Sequence, residues 1–423
     1  MSRRSLSLRV ATLSSAAAAV FLLAACGTLP GQPATGQPAP QAAGRGQRSG
    51  PVALLLPLSG RLAPVGQSLE KAVKLAFSAH GAPDLKVYDT AGTPEAAAAA
   101  AKHAVADGAG IIIGPLTSED TKAVAPIARE ADLNVLAFTN DEKVGGPGVW
   151  ALGITPGQQV RRVVSYAADN GKTKTAAILP ENALGNLMAE ALRDQASRLG
   201  QPAPQIGRYQ DSFSSLTQTV RQVSAFDSRG AAIQAKIRAA RAEDTAAGRR
   251  LAHKLEQQPV PPPSFNALLL AATGERLAEI ATLLPYYEAG PPQVLLMGPT
   301  LWTHSAKAMA THDALRGAVY AAPDPSRRLP FVQKFQSNYG GSAPPSIDDI
   351  GFDAAAVAVL AAREGGYTIR VLTNPQGFTG TDGVFRLEPG GSVIRGLAVF
   401  KVEPGGPKLV SPAPSSLPAA PVS

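Results

Sequence analysis

The stretch Val52-Ala53-Leu54-Leu55-Leu56-Pro57-Leu58-Ser59-Gly60 carries the clearest fold signal in the chain, a continuous apolar run that ends at a proline and leads into a helical pattern over 66–79. Further apolar runs, separated by segments with helical spacing, lie at 85–89, 110–115, 134–138, 175–179, 267–271 and 294–298. Continuous rather than alternating apolar runs are typical of parallel strands covered by helices on both faces. We therefore predict an α/β protein with two doubly wound, Rossmann-like lobes.

The N-terminal residues have the composition of an export signal. Arg3, Arg4 and Arg9 precede an apolar run over 16–25, and Cys26 is the only cysteine. The run is shorter than the roughly 20 residues that a membrane-spanning helix needs, and a lone cysteine excludes a disulfide within the chain. The pattern resembles a bacterial lipobox, which implies a lipoprotein signal peptide at 1–25 and a lipid on Cys26. The alternative is an ordinary secretory signal with an incidental cysteine.

Gly27 follows the cysteine in place of the aspartate that, in the lipoprotein class, retains proteins at the inner membrane. The resemblance therefore implies attachment at the periplasmic face of the outer membrane. Residues 27–50 contain four prolines, six glycines and no acid, so we predict that 26–50 is a tether rather than a folded segment. We likewise expect 406–423 to be a disordered tail.

The charge balance excludes one class of partner. The formal charge of +8 falls to +5 once the first 25 residues, with three arginines and no acid, are removed. Basic and acidic residues are mixed, and aromatic residues make up only 5% of the chain. Since nucleic-acid-binding surfaces combine clustered basic residues with stacking or groove-reading groups, we expect no nucleic-acid partner.

A basic segment over 228–258 interrupts the alternation of strands and helices. Its apolar residues keep helical spacing, although Asp244 interrupts the apolar stripe and Gly248 weakens a helix. We predict a helical insertion on the second lobe, which is either a packed surface helix or a partner-binding element. The candidate partner-binding residues are Arg238, Arg241, Arg249 and Arg250.

Several short motifs together resemble one known family. They are Ala53-Leu54-Leu55-Leu56-Pro57-Leu58-Ser59-Gly60, Tyr88-Asp89-Thr90, Ile112-Ile113-Gly114-Pro115-Leu116-Thr117, Leu136-Ala137-Phe138-Thr139-Asn140, Leu295-Leu296-Met297-Gly298 and Asp382-Gly383-Val384-Phe385-Arg386-Leu387. They resemble the type I periplasmic-binding fold of the leucine-binding-protein group over about 51–405. With the lipobox, the chain is most similar to the penicillin-binding protein activator lipoproteins.

The resemblance implies discontinuous lobes, because in this fold the chain crosses between lobes three times. We expect lobe one at about 51–153 and 323–378, and lobe two at about 154–322 and 379–405. Ligand sites in open α/β sheets lie beyond the carboxyl ends of the strands. The candidate cleft residues are Ser59, Gly60, Thr117, Ser118, Thr139, Asn140, Leu184, Thr300 and Trp302. Trp302 is either a ligand platform or packing at a lobe edge.

The candidate cleft does not match amino-acid binding in full. In the leucine-binding group, hydroxyls such as those of Thr117, Ser118 and Thr139 hold the ligand carboxylate at a helix N-terminus. The family's glutamate for the ligand ammonium is replaced by Thr300, and its capping aromatic residue by Leu184. An unpaired buried cation is costly. The sequence therefore argues against free leucine-like ligands.

No catalytic group stands out. Ser68-Leu69-Glu70-Lys71 fits an S-x-x-K pattern but lacks the motifs that accompany it in penicillin-interacting enzymes, and the five histidines have no metal-ligand spacing. We expect a non-catalytic protein without cofactor or metal. The resemblance implies a lipid-anchored regulator whose partner is a penicillin-binding protein. The alternative is a solute-binding lipoprotein that delivers an amino-acid-like or peptide-like ligand to an ABC permease.

Overall fold

The computed structural model describes residues 49–417. The predicted signal peptide, Cys26 and nearly all of the predicted tether lie outside the described residues, as do 418–423. Between 49 and 417 no helix is both long and apolar enough to cross a membrane. The described chain forms two α/β lobes, each built on its own sheet, which confirms the predicted fold class.

Lobe one is built on a parallel sheet with the strand order β2-β1-β3-β4-β5. The strands are β1 Val52–Leu56, β2 Leu85–Asp89, β3 Ile111–Ile113, β4 Asn134–Ala137 and β5 Val149–Ala151. Strand β1 pairs on both sides, and its alternate residues enter core clusters on opposite faces of the sheet. Burial on both faces explains its continuous apolar sequence. The apolar runs predict β1 to β4 correctly and miss the short β5.

Helices cover both faces of the lobe one sheet. They are α1 Ala63–Phe77, α2 Pro94–Ala106, α3 Ser118–Glu130, α11 Pro325–Tyr339, α12 Ile347–Arg363 and α13 Ile369–Leu372. Alanines of α2 and α3 pack on one face, and α1 and α12 on the other. The start of α2 follows local rules, since Pro94 occupies its first turn and the Thr93 hydroxyl accepts a hydrogen bond from Ala96 N.

A small antiparallel sheet completes lobe one and changes one predicted boundary. Its strands are β11 Phe378–Gly380, β12 Gly383–Leu387 and β13 Val393–Arg395. Phe378 and Phe385 are buried in the same core cluster as Leu54 of β1. The expected boundary at 378/379 is therefore wrong: the third crossing between lobes follows β13, because the apolar side chains of the small sheet complete the lobe one core.

Lobe two is built on a larger sheet with the order β15-β14-β10-β9-β8-β6-β7. The strands are β6 Thr175–Pro180, β7 Gln205–Tyr209, β8 Ala267–Leu270, β9 Leu295–Gly298, β10 Val319–Ala322, β14 Ala398–Glu403 and β15 Gly406–Ser411. Strands β6 to β10 are parallel, whereas β14 and β15 are antiparallel additions at one edge. The main helices are α4 Pro156–Asp169, α5 Ala183–Arg198, α6 Phe213–Val223, α9 Gly274–Tyr286 and α10 Ala306–Met309.

Strand β15 lies where we expected the C-terminal tail to begin. It pairs with β14 along its length, and the Arg162 guanidinium donates a hydrogen bond to the Ser411 hydroxyl. Ala413 beyond it is buried. The expectation of a disordered tail from 406 is therefore wrong for 406–411, because the edge of β14 offers backbone partners that short-range composition does not reveal.

The basic insertion is a hairpin of two helices, α7 Phe226–Ala242 and α8 Ala246–Glu256. Asp244 has φ +46° in the turn between them, and the Thr245 hydroxyl accepts a hydrogen bond from Gly248 N at 2.9 Å. A Cβ on Gly248 would lie 2.3 Å from the Ala240 carbonyl oxygen. The two residues that weaken a single long helix therefore form the turn and the close contact of the hairpin.

The burial of β1 predicts a strong contrast between two Leu→Ala substitutions. Leu54 is fully buried, whereas Leu409 on β15 is 43% exposed. We expect Leu54→Ala to lower the free energy of unfolding by about 3 kcal/mol, because it leaves a cavity in the core. We expect Leu409→Ala to change it by less than about 0.5 kcal/mol. Urea unfolding followed by circular dichroism measures both, and equal losses would contradict this description of the core.

Candidate functional site

A cavity of about 820 Å³ lies between the two lobes. Lobe one contributes the segments after β3 and β4, together with residues at the start of α12, and lobe two contributes the segment after β9. This position, beyond the carboxyl ends of parallel strands, is the one expected for ligand sites in open α/β sheets. Of the nine candidate cleft residues, the cavity wall includes Thr117, Ser118, Thr139, Asn140 and Thr300.

The other four candidates lie off the cavity wall. Ser59 and Gly60 are exposed, and the Ser59 backbone N–H donates to the Asp89 carboxylate at 3.3 Å. Leu184 packs against the lobe two core. Trp302 is fully buried, and its indole N–H donates to the Ala272 carbonyl oxygen at 2.9 Å. Trp302 is therefore packing within lobe two and not a ligand platform, because no face of its ring is open.

The lobe one hydroxyls already have partners within the protein. The Thr117 hydroxyl accepts a hydrogen bond from Asp120 N at 3.0 Å and so caps α3. The Ser118 hydroxyl donates to Asp141 Oδ2 at 2.6 Å. The Thr139 hydroxyl accepts from Asp141 N at 3.1 Å. The Asp141 carboxylate is held in place by the Ser118 hydroxyl and by Lys143 N, which donates to its Oδ1 at 3.0 Å.

The position of Asp141 determines which ligands suit this wall. Ser118 is the first residue of α3, where a helix N-terminus favours a negative charge. The protein's own carboxylate already accepts the Ser118 hydrogen bond there. A second carboxylate brought by a ligand would meet like-charge repulsion and a hydroxyl without a free proton. Sequence reasoning did not identify Asp141, although it follows directly after the Thr139-Asn140 pair.

The lobe two wall carries no acid between 300 and 304. The Thr300 hydroxyl donates to the Ala321 carbonyl oxygen at 2.6 Å, and Thr300 N donates to Gln159 Oε1 at 2.9 Å. Leu301, on the same wall, is 58% exposed. The segment after β9 therefore offers a ligand ammonium no charged partner, as the sequence predicts from the threonine that follows Gly298-Pro299; Asp324, after β10, also lines the cavity.

Buried carboxyl groups form one end of the cavity. Asp349 on α12 and Asp382 before β12 both line it, and Arg328 Nε donates to both Asp349 oxygens at 2.8 and 2.6 Å. Burial raises the pKa of Asp349 to about 8. The hydrogen bond from Arg328 lowers this pKa, whereas repulsion from Asp382 raises it further. Burial also raises the pKa of Asp382, which Arg395 opposes. Burial therefore favours the protonated form of both carboxyls, and their mutual repulsion adds to this for Asp349.

Asp353 extends this cluster into the core of lobe one. It is 3% exposed, and its Oδ1 accepts a hydrogen bond from Thr381 N at 2.8 Å. Its Oδ2 has no hydrogen-bond partner within the described chain. Burial raises the pKa of Asp353 to about 7, although the Arg395 guanidinium lowers it. Because charged residues usually lie on the surface, the sequence did not predict these buried carboxyls. The one available signal was that Asp349 and Asp353 stand among the apolar residues of α12.

Arg395 connects the acidic cluster to the first crossing between the lobes. Its Nη2 donates to the Leu152 carbonyl oxygen at 2.8 Å, and its guanidinium lies 4.9 Å from the centroid of the Phe385 ring. The arginine is 7% exposed. It therefore places a positive charge between the small sheet, α12 and the segment that leaves β5. In the part of the chain that the structure describes, no three His, Cys, Asp or Glu side chains form a group that would hold a metal ion.

The four candidate partner-binding arginines lie on the α7–α8 hairpin, away from the cavity wall. Arg241 forms an ion pair with Glu256, and Arg249 forms one with Asp244 at 3.2 Å. Arg238 and Arg250 are exposed and make no ion pair with residues 49–417. The structure therefore divides the predicted set into two arginines used within the hairpin and two that are unpaired.

The raised pKa of Asp353 predicts a pH-dependent stability. Its pKa is near 3.8 in an unfolded chain and about 7 in the folded protein. Between these values the folded state binds a proton that the unfolded state does not, so this stabilisation is present at low pH and is lost as the pH rises through 7. Asp353→Asn stays neutral. We expect its Tm, relative to wild type, to rise between about pH 5 and about pH 8.

The control for that measurement is Asp169→Asn, because Asp169 is exposed at the end of α4. Its Tm relative to wild type should stay constant over the same pH range. Differential scanning calorimetry in buffers of equal ionic strength gives both values. A constant Tm difference for Asp353→Asn would contradict a proton on this buried carboxyl.

Solved structures share this architecture. The C-domain of LpoA (YraM) from Haemophilus influenzae, described as a regulator of PBP1A, aligns with a TM-score of 0.60 and 17% identity, over 85% of this chain and 100% of that one. The leucine-binding protein LivK of Thermotoga maritima aligns with a TM-score of 0.52 and 16% identity, over 85% of this chain and 97% of that one. At these identities the likeness concerns the fold alone.

Curated relatives match part of the chain. The penicillin-binding protein activator LpoA of Klebsiella pneumoniae is 31% identical over 127 residues, which are 30% of this chain and 18% of that protein. LpoA of Pectobacterium parmentieri is 24% identical over 203 residues, 47% of this chain and 30% of that protein. The matched segments thus span less than a third of these relatives. The periplasmic binding protein family profile matches residues 51–407, and the chain belongs to that family.

Proposed function

We propose that this protein is a non-catalytic lipoprotein of the outer membrane that regulates a peptidoglycan synthase of the penicillin-binding protein class. The lipid would be carried by Cys26, and the folded domain would act at the periplasmic face of the membrane. The observation that supports this function best is the Asp141 carboxylate on the Ser118 hydroxyl. By the resemblance to the leucine-binding group, this hydroxyl is one that would otherwise hold the ligand carboxylate.

The relatives support the same proposal from another direction. Those in Klebsiella and Pectobacterium are named penicillin-binding protein activators, and the Haemophilus C-domain is described as a regulator of PBP1A. The chain shares the binding-protein fold with the Haemophilus C-domain. Its segment over 300–304 carries no acid that would bind the ammonium group of an amino acid. A domain that keeps the two-lobed frame and loses its ligand groups suits a role in protein contacts.

A solute-binding lipoprotein that serves an ABC importer is the second candidate function. One observation favours it: the cleft is an open cavity of about 820 Å³, within the range typical of small-molecule sites. The chemistry of its walls then suits an amino-acid-like or peptide-like ligand that brings no carboxylate to Ser118. The two functions differ in whether the cleft or the outer surface meets the partner.

The first test is amino-acid binding. We expect millimolar leucine, isoleucine or valine to leave the Tm unchanged, because Asp141 repels their carboxylate and lobe two offers no partner for their ammonium. A receptor would gain about 2.7 kcal/mol of stability when the amino acid is present at 100 times its Kd, and a thermal-shift assay detects such a gain readily. A clear rise in Tm with leucine would contradict the regulator and support the receptor.

The second test is direct regulation. The full chain, purified with its lipid, is added to the full-length penicillin-binding synthase of the same bacterium in detergent, and glycan polymerisation and cross-linking are followed. We expect a rate above that of the synthase alone. The same amount of a lipoprotein of unrelated fold is the control. An unchanged rate together with no measurable binding would refute the proposed function.

The anchor is tested separately with Cys26→Ser. We expect wild-type protein in the outer-membrane fraction, labelled by radioactive palmitate, and the variant unlabelled in the soluble periplasmic fraction. A single acyl chain gives only marginal binding, so full anchoring also requires more than one chain on the cysteine. Outer-membrane recovery of the variant would contradict the lipid anchor.

A further inference from the structure

The α7–α8 hairpin uses its apolar residues within itself. Ile237 and Ala240 of α7 bury against Ala252 and Leu255 of α8 in a cluster separate from the lobe cores. Between 231 and 258, the buried or half-buried residues are Ile233, Ile237, Ala240, Gly248, Ala252 and Leu255, all on the inner side of the hairpin. The remaining residues of this stretch are exposed, so the hairpin stands out from lobe two.

The base of the hairpin is firmly attached. Phe226 packs against the lobe two core and meets the Tyr287 ring edge-on, with ring centroids 5.3 Å apart. Arg229 donates to the Ser224 carbonyl oxygen at 2.7 Å and to the Tyr287 carbonyl oxygen at 2.6 Å. The hairpin therefore projects from a fixed base and presents its outer surface in a defined orientation.

That outer surface carries unpaired positive charge. Residues 226–256 include seven basic and four acidic residues. Arg241 and Arg249 are paired within the hairpin, and Arg221 binds Asp227 at the base at 2.8 Å. The exposed basic residues of the hairpin that make no ion pair with residues 49–417 are Lys236, Arg238, Arg250 and Lys254.

Helix α8 concentrates part of this charge on one face. Lys254 neighbours both Arg250 and Leu251 there, because residues three and four apart share a helix face. Leu251, three residues before Lys254, is 46% exposed. A single large apolar side chain is too little for a helix that inserts into a bilayer, which needs a broad apolar face. The surface suits electrostatic contact with a protein.

We infer that the α7–α8 hairpin is the docking element for an acidic face of the protein partner, which under the proposed function is the peptidoglycan synthase. The four unpaired basic residues steer association, and Leu251 lies within the contact. Charges of this kind act mainly on the association rate, and salt screens them. The hairpin then contacts the partner, and the cleft takes no part in that contact.

The experiment compares two variants with equal changes in net charge. The hairpin variant combines Lys236→Glu, Arg238→Glu, Arg250→Glu and Lys254→Glu. The control variant changes four exposed basic residues on other helices that make no ion pair with the described chain, namely Lys102→Glu, Arg129→Glu, Arg193→Glu and Arg370→Glu. Because none of the eight side chains is paired, both variants should keep the wild-type Tm, which circular dichroism checks first.

Surface plasmon resonance then measures binding to the immobilised full-length synthase at low and high salt. We expect the wild-type association rate to fall with salt, the hairpin variant to associate at least about tenfold more slowly at low salt, and the control to match wild type. If the hairpin variant binds the synthase as well as the wild-type chain does, the inference is wrong and the proposed function still stands. A wild-type chain that does not bind overturns both.

A vesicle arm distinguishes a protein partner from a lipid surface. Wild-type chain and hairpin variant are sedimented with vesicles that contain phosphatidylglycerol, and with neutral vesicles of phosphatidylcholine. We expect equal recovery of the two proteins on each vesicle type. If the hairpin variant loses only its binding to the anionic vesicles and still binds the synthase, the hairpin contacts lipid headgroups and the inference is wrong.

Discussion

The Arg395 guanidinium lies where the chain passes between its lobes, and it lowers the pKa of Asp353 and Asp382 against the effect of their burial. The arginine also binds the Leu152 carbonyl oxygen, so segments more than 200 residues apart in sequence meet at one charge. Isolated buried charges are costly, and breaking such a group by removing one member is more costly still. The hydrogen bond to Leu152 holds the end of the small sheet against the first crossing between the lobes.

The cleft has the frame of a binding protein, and three hydroxyls on its walls already bond within the protein. Thr117 caps α3 and Ser118 holds Asp141, so these two hydroxyls serve the protein itself. On the facing wall Thr300 is bound to its own backbone neighbours. These hydroxyls gain little from a polar ligand, since each new hydrogen bond must replace an existing one. This explains how one fold can serve capture of solutes in some proteins and, as we propose, regulation here.

Sequence patterns predicted what depends on local periodicity. The apolar runs located β1 to β4 and three strands of lobe two, and the start of α2 follows from its cap and first-turn proline, which are local signals. Composition did not predict β15, whose strand depends on the free edge of β14. Nor did it assign the small sheet to lobe one, since Phe385 finds its core neighbours hundreds of residues away.

The candidate site was predicted only in part for a related reason. Positions after parallel strands placed Thr117, Thr139 and Thr300 at the cavity correctly, because topology alone puts strand ends there. Trp302 follows the same rule and yet turns inward, since its ring fills space above Gly298 and its N–H finds a backbone partner. The burial of Asp353 and Arg395 was not predicted, because a charged residue in a sequence gives no sign that distant segments will fold over it.

The central claim, that this protein meets its partner through the hairpin and not through the cleft, is tested most directly by hydrogen–deuterium exchange. The full chain is measured alone and with the full-length synthase, and peptides from α7–α8 are compared with those from the cleft segments 117–118 and 139–141. The account predicts slower exchange of hairpin amides in the complex and unchanged exchange in the cleft. Slower exchange in the cleft with an unaffected hairpin would contradict it.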